Sequence, residues 1–101
     1  MRILVSCANG AGTSLMMKMS VEKAARILGL TVESIHHCSL AEGKSTAVNY
    51  DVVLCPLNFI EMFREAESRG ARVIGLRNVM SYSEVMEKLI SEGIAYEHLK
   101  K

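Results

Sequence analysis

The segment that most constrains the fold of this chain is residues 3–19, in which an apolar run is followed by a cysteine, small residues and a helical pattern. The apolar run predicts a buried strand from Arg2 to Ser6, which leaves Cys7 at its carboxyl end. The small residues predict a tight loop, and the pattern beyond them predicts a helix from Ser14 to Leu28. Such a strand, loop and helix form a βα unit, the building block of a parallel sheet covered by helices.

The loop between this strand and this helix is predicted to bind a phosphoryl group. Backbone N–H groups and the helix dipole favour an anion there, and a helix N-terminus favours the thiolate form of a nearby cysteine. Cys7 is therefore the candidate nucleophile. The alternative is a buried structural cysteine before an ordinary βα turn, but two glycines followed by Thr and Ser favour the phosphate loop. The candidate phosphate-binding residues are Ala8, Asn9, Gly10, Ala11, Gly12, Thr13 and Ser14.

The predicted helix carries its own start and stop signals. Thr13 or Ser14 serves as the N-cap, and the other hydroxyl is then available to the thiolate or the phosphate. Gly29 occupies the C-cap position. The predicted buried stripe of the helix consists of Leu15, Met19, Ala24 and Leu28.

Strands and helices alternate along the rest of the chain, which predicts an α/β fold with a parallel sheet and helices on both faces. Further strands are predicted at Thr31–His37, Asp51–Cys55 and Arg72–Leu76, and helices at Phe59–Ser68 and from Ser81 or Ser83 to about Glu92. Ala41–Asn49 is predicted as a loop, with one weak helical turn as the open alternative. In such sheets, ligands bind at the carboxyl ends of the strands. Cys7 falls at that edge, and so do Cys38 and Cys55.

Composition excludes several classes of function. The 101 residues suit one domain, 1–101, and the net charge of +1 does not indicate nucleic-acid binding. No apolar run reaches the roughly 20 residues that a membrane-spanning helix needs, and no signal-peptide pattern is present. The three cysteines form neither a disulfide framework nor a C-x-x-C pair. We therefore expect a protein of the reducing cytoplasm, without insertion into the membrane.

Residues 7–14, Cys-Ala-Asn-Gly-Ala-Gly-Thr-Ser, followed by Leu-Met-Met-Lys-Met, resemble the IIB components of the bacterial phosphoenolpyruvate-dependent sugar phosphotransferase system. Within that system they are most similar to the ascorbate type of the ascorbate/galactitol group, and residues 38–45 and 75–81 extend the resemblance. Ala8 stands where the family pattern has glycine, which strains the loop if that position needs a positive φ. The resemblance implies a Rossmann-like three-layer fold with sheet order 2-1-3-4 and a phosphatase-like phosphate loop.

The resemblance also implies a function, that of a phosphotransferase without a cofactor. A phosphohistidine on a IIA partner would donate its phosphoryl group to Cys7. Phosphorylated Cys7 would pass it to a sugar, by resemblance an ascorbate-like one, held by the membrane-embedded IIC partner.

Two rival functions share the cysteine loop. A low-molecular-weight-type phosphatase would have arginine six positions after the cysteine, where its guanidinium stabilises the attack by water, but position 13 is threonine. A regulatory module phosphorylated on Cys7 as a signal is the second rival. Such modules are usually fused to nucleic-acid-binding domains, and none is recognisable here.

Four residues outside the loop are candidate partner contacts. Met16 and Met17 follow the loop and have the adaptable side chains of a docking surface, although core filling is the alternative for any methionine. Arg77 and Asn78 follow the last predicted strand, where a contact with a partner and a solvated loop are both open. The cysteines at 38 and 55 and the histidines at 36 and 37 match no zinc pattern, so no metal is predicted.

Overall fold

A four-stranded parallel sheet organises the part of the chain that the computed structural model describes, namely residues 1–7, 11–78 and 81–91, with residues 11–14 described by their backbone. The elements are β1 (Arg2–Cys7), α1 (Ala11–Leu28), β2 (Ser34–Ser39), α2 (Leu40–Thr46), β3 (Val52–Pro56), α3 (Arg64–Ser68), β4 (Arg72–Leu76) and α4 (Tyr82–Ser91), with 3-10 helices at Ala47–Asn49 and Leu57–Phe63.

The strand order is β2-β1-β3-β4, as the resemblance implied. All three strand pairs are parallel. Cys7 pairs with Ser39 of β2 on one side, and Pro56 of β3 pairs with Leu76 of β4 on the other side of the sheet. Val5 pairs with Leu54, so two residues further along Cys7 is level with Pro56, and Leu76 lies in the same row.

Both faces of the sheet are buried, which gives three layers. Parallel strands covered on both sides consist of nearly continuous apolar runs, and this is why β3 and β4 were recognisable in the sequence. One core, between the sheet and α1 with α4, includes Ile3, Val5, Cys7, Met17, Val21, Ala24, Leu54, Leu76, Val85 and Leu89. The other, between the sheet and α2, α3 and the 3-10 segments, includes Leu4, Cys38, Leu40, Ala47, Val53, Cys55, Phe63, Ala66 and Val73.

Helix α1 corrects two predictions. It begins at Ala11 rather than Ser14, so Thr13 and Ser14 lie in its first turn and the predicted N-cap at these residues is wrong. Ala11 is a good helix former but Gly12 is a poor one, so helix propensity alone does not explain this early start. The predicted buried stripe is also wrong in part, because Leu15 and Met19 are 44% and 62% exposed.

The C-terminal end of α1 agrees with the prediction. Gly29 has a φ of +71°, the left-handed conformation that glycine adopts without steric cost. The N–H of Leu30 donates to the carbonyl of Ala25 at 3.0 Å, which satisfies one of the last carbonyls of the helix.

The segment after the predicted second strand differs most from expectation. Strand β2 begins at Ser34 rather than Thr31. Residues 40–46 form helix α2, where a loop with at most one weak helical turn was predicted. Ser39 caps this helix, since its Oγ accepts a hydrogen bond from the N–H of Glu42 at 3.4 Å. Ser-x-x-Glu is the sequence signature of such a helix start, and it was present in this segment.

The predicted helix at Phe59–Ser68 is divided in the structure. Residues 57–63 form a 3-10 helix and only residues 64–68 form α3. The 3-10 segment lies across β4 at Gly75, where an added Cβ would approach the Leu57 Cδ1 to 2.7 Å and its Cα to 3.0 Å. The missing side chain at this strand position therefore permits the close approach of a backbone.

We predict that Gly75→Ala lowers the free energy of unfolding by about 1–3 kcal/mol, the usual cost of overpacking. The added methyl group must displace Leu57, which is 45% exposed and partly able to move. Urea unfolding of the single variant and of the Leu57→Ala/Gly75→Ala double variant measures this effect. The double variant should recover part of the loss; equal stability of Gly75→Ala and the wild type would contradict the packing argument.

Candidate functional site

Cys7 lies where the sequence placed it, as the last residue of β1 at the carboxyl edge of the sheet. Its side chain is 3% exposed and belongs to the core formed with α1 and α4. The preceding residue, Ser6, faces the opposite side and donates from its Oγ to the carbonyl of Ser39 at 2.9 Å. The end of β1 is thus held against the end of β2 from the face opposite Cys7.

Helix α1 begins four residues after Cys7, at Ala11. The first four N–H groups of an α-helix have no partner within the helix and carry the positive end of its dipole. Residues 11–14 of the predicted phosphate loop therefore supply first-turn backbone donors. Ala8, Asn9 and Gly10, including the position where the family pattern has glycine, lie outside the described residues, as do the side chains of residues 11–14.

The other two cysteines share the edge of the sheet with Cys7 but lie on its opposite face. Cys38 and Cys55 are buried in the core formed with α2 and α3, and all three cysteines are free thiols. Burial raises the pKa of the Cys38 thiol, a hydrogen bond with Ser6 opposes this shift, and the charge of Glu42 adds to it. Burial alone raises the pKa of Cys55 to about 12. Neither environment favours a thiolate.

The turn between β4 and α4 contains a contact that sequence reasoning missed. The carboxylate of Glu84 accepts the N–H of Arg77 at 2.7 Å and that of Asn78 at 2.8 Å. Partial burial raises the pKa of Glu84, but these two hydrogen bonds, with the charges of Lys88 and Arg77, outweigh it and hold the pKa below its ordinary value. Glu84 is therefore ionised near neutral pH.

Helix α4 starts after one of the two residues that were predicted to cap it. The Oγ of Ser81 accepts the N–H of Glu84 at 3.3 Å, so Ser81 rather than Ser83 is the N-cap. The spacing Ser81-x-x-Glu84 was thus a visible signal for the helix start, although the glutamate contacts a different segment from the one that this motif predicts.

The four candidate partner contacts differ in their exposure to solvent. Met17 is 0% exposed and packs in the core, which makes it unavailable to a partner; that prediction is wrong. Met16, one residue earlier in the chain, is 49% exposed. Leu15 and Met19 are also exposed and enlarge the apolar surface around it. The residues at 77 and 78 are also exposed. The apolar surface at the start of α1 and the end of β4 flank the edge that carries Cys7.

His36 of β2 makes two contacts at the surface. His36 stacks on the ring of Tyr50, with ring centroids 6.4 Å apart, and its Nε2 lies 3.9 Å from the Glu42 carboxylate. Among residues 1–7, 11–78 and 81–91, no group of three His, Cys, Asp or Glu side chains is arranged to hold a metal ion. In the same part of the chain, no helix is both long and apolar enough to cross a membrane.

Comparison with known proteins identifies the family to which this chain belongs. A family model described as "PTS system, Lactose/Cellobiose specific IIB subunit" matches residues 2–91. The chain belongs to this IIB family of the sugar phosphotransferase system. A IIB component is a phosphotransferase of sugar uptake, and this is the class of the present chain. The resemblance of the cysteine loop and its flanking segments is thereby confirmed at the level of the family.

Individual relatives in this family carry ascorbate-specific names. The chain is 27% identical over 89 residues to the ascorbate-specific EIIB component of Mycoplasma pneumoniae, covering 88% of this chain and 90% of that protein. It is 33% identical over 94 residues to the ascorbate-specific EIIB component of Shigella dysenteriae, covering 88% and 85%.

A solved structure shows the same fold. The lactose-specific IIB domain of Streptococcus pneumoniae aligns with a TM-score of 0.63 and 20% identity, and the alignment covers 90% of this chain and 95% of that one. The four-stranded parallel sheet flanked by helices is therefore the IIB architecture.

Proposed function

We propose that Cys7 accepts a phosphoryl group from a phosphohistidine of a IIA partner and passes it to a sugar bound by the membrane-embedded IIC partner. The thiolate sulfur attacks phosphorus, the P–N bond breaks and the imidazole leaves. A sugar hydroxyl then attacks phosphorus, its proton is lost, the S–P bond breaks and the thiolate is restored. One observation carries this proposal: the cysteine ends β1 at the carboxyl edge, immediately before the loop that leads to the N-terminus of α1.

The residue set around Cys7 suits a carrier better than a phosphatase. A phosphatase of this architecture uses a guanidinium in its loop to stabilise the transition state for hydrolysis. The chain has threonine at that position and no arginine between Cys7 and Arg26. Backbone N–H groups bind a phosphoryl dianion without that additional charge, and the phosphocysteine is then long-lived enough to reach the second partner.

We propose an ascorbate-like sugar as the final acceptor, because several relatives are named ascorbate-specific. We place the protein in the cytoplasm, where free thiols persist and where a IIA partner and the inner face of a IIC partner would both be accessible.

Phosphoryl transfer from the cognate IIA protein, followed by intact-mass and peptide analysis, tests this function. We expect the mass of one phosphoryl group, carried by the peptide that contains Cys7 and discharged when IIC-containing membranes and ascorbate are added. Release of phosphate from p-nitrophenyl phosphate at a catalytic rate would instead establish a phosphatase.

Docking of the IIA partner supplies a further prediction. Met16→Asp should raise the KM for phosphorylated IIA about five- to tenfold, since a central apolar interface side chain contributes about 1–2 kcal/mol. Ile27→Asp is the matched control, because Ile27 is similarly exposed, at 54%, near the other end of α1. Initial rates of transfer at varied IIA concentration measure the effect. An equal change of KM in both variants would show that the start of α1 is not the docking surface.

A further inference from the structure

A charged side chain of α4 holds the backbone that follows β4. The two carboxylate oxygens of Glu84 each accept one backbone N–H, from Arg77 and Asn78, at 2.7 and 2.8 Å. Hydrogen bonds to an ionised acceptor are about twice as strong as neutral ones. The direction of the backbone immediately after β4 is therefore fixed by a residue of the helix that follows.

Capping of α4 does not account for this contact. In the usual motif, a glutamate three residues after the N-cap accepts the backbone N–H of the N-cap residue itself. Here the N–H of Ser81 donates to the carbonyl of Asn78 at 3.1 Å, while the Ser81 side chain caps the helix. Glu84 is thus directed to the end of β4, six and seven residues before it in the chain.

The segment that Glu84 holds lies beside the proposed nucleophile. The strand register puts Leu76 in the same row as Cys7, two strands away, which corresponds to about 10 Å at the usual strand spacing. Arg77 is the next residue, the first beyond the edge of the sheet, and it is exposed. Its guanidinium would favour a phosphoryl group, which carries negative charge, on the incoming donor.

We propose that Glu84 is a positioning residue for phosphoryl transfer, which holds the backbone of Arg77 and Asn78 so that Arg77 engages the phosphorylated donor at the edge that carries Cys7. This inference rests on the proposed function of Cys7. It assigns the previously open role of Arg77 to partner recognition, and it assigns Glu84 an action through Arg77 rather than on the reacting atoms.

The test compares Glu84→Ala and Glu84→Gln with the control Glu87→Ala. Glu87 lies one turn further along α4 and lines the same surface pocket as Glu84. We expect Glu84→Ala to raise the KM for phosphorylated IIA about tenfold while kcat changes less than twofold, as removal of a docking interaction does. Glu84→Gln retains an acceptor oxygen and should recover part of the affinity. Glu87→Ala should resemble the wild type.

A double-mutant cycle with Arg77→Ala examines the proposed route of action. If Glu84 acts through Arg77, the double variant should have the KM of the worse single variant, because the second change removes nothing further. Additive losses, or an unchanged KM in both Glu84 variants, would overturn the proposal. Thermal unfolding identifies a variant that is merely destabilised. If Glu84→Ala is such a variant, the KM of Glu84→Gln for phosphorylated IIA is the measurement that tests the proposal.

The backbone amide signals of Arg77 and Asn78 test the contact independently of phosphorylation. In Glu84→Ala both amide protons should move upfield in heteronuclear NMR spectra, whereas in Glu87→Ala they should stay in place. Unchanged signals in Glu84→Ala would overturn the positioning role even if transfer is normal. A wild-type protein that accepts no phosphoryl group, with the amide shifts as expected, would instead overturn the proposed function and leave Glu84 without a reaction to support.

Discussion

The Cys7→Ser variant is expected to accept no phosphoryl group from phosphorylated IIA protein, while its fold remains that of the wild type. A serine hydroxyl is far less acidic than a thiol and is a weak nucleophile without an adjacent general base. The described surroundings of Cys7 are apolar side chains of the core around Met17 and Leu76. The exchange of sulfur for oxygen is small enough to preserve this packing. Intact-mass analysis after incubation with the phosphorylated donor measures the loss.

The matched controls are Cys38→Ala and Cys55→Ala. Both residues are buried on the opposite face of the sheet, so their removal should leave labelling intact. Normal labelling of Cys7→Ser would contradict the assignment of the cysteine as acceptor, and peptide analysis of the labelled variant would then locate the phosphoryl group. Far-UV and near-UV circular dichroism of each variant separates a missing acceptor from a missing fold.

The strands were predictable from the sequence because of how this fold buries them. A strand covered by helices on both faces is apolar at consecutive positions, and Arg72–Leu76 has the same bounds in the sequence and in the structure. The edge strand β2 is the exception. Its six residues, Ser-Ile-His-His-Cys-Ser, include one aliphatic side chain, and most of them are only partly buried or exposed. The start of this strand was therefore placed three residues too early.

The face of α1 could not be predicted with equal success. Apolar side chains occur on every side of this helix, and three of its methionines lie within four residues. Which of them is buried depends on the rotation of the helix against the sheet, which periodicity does not determine when every face offers a candidate. The structure buries Met17 and exposes Met16 and Met19.

Helix α2 was predicted as a loop with at most one weak helical turn, because its composition is that of a loop. Its glycine, Gly43, is unfavourable in a helix by about 1 kcal/mol relative to alanine. The structure explains its presence, since an added Cβ would collide with the Oγ of Ser6 and approach the sulfur of Cys38. Tertiary packing thus selected a residue that local propensity disfavours, and only the Ser39-x-x-Glu42 capping signal indicated the helix.

The hydrogen bonds of Glu84 could not be predicted from the sequence for a different reason. A glutamate in the first turn of a helix is typical of any helix start, and the sequence gives no sign that its carboxylate reaches back to Arg77 and Asn78. That contact joins the first turn of α4 to the backbone that follows β4, two segments whose relative placement only the folded structure determines. The sheet order β2-β1-β3-β4, by contrast, was implied by the family resemblance, since the alternation of strands and helices does not determine it.

The three cysteine thiols are expected to differ strongly in their rates of alkylation. At pH 8 an alkylating agent should modify Cys7 first, Cys38 more slowly and Cys55 last. The thiolate is the reactive form, and a pKa of about 12 leaves Cys55 with about 10³-fold less thiolate at this pH than a free cysteine of pKa ~8.5. Burial also raises the pKa of Cys38, a shift that its hydrogen bond with Ser6 opposes and the charge of Glu42 reinforces. Cys7 instead precedes the first-turn N–H groups of α1, which stabilise an anion.

Timed alkylation with peptide mapping measures the three rates, before and after phosphorylation by the IIA partner. Phosphorylation should protect Cys7, since its sulfur is then esterified, and should leave the rates of Cys38 and Cys55 unchanged. In a denaturant the three thiols should react at similar rates, because the folded surroundings of each thiol are lost. Faster modification of Cys38 or Cys55 than of Cys7 in the folded protein would contradict the anion-binding role assigned to the start of α1. Loss of the fast phase in Cys7→Ser, with the two slow phases retained, would assign it to the proposed nucleophile.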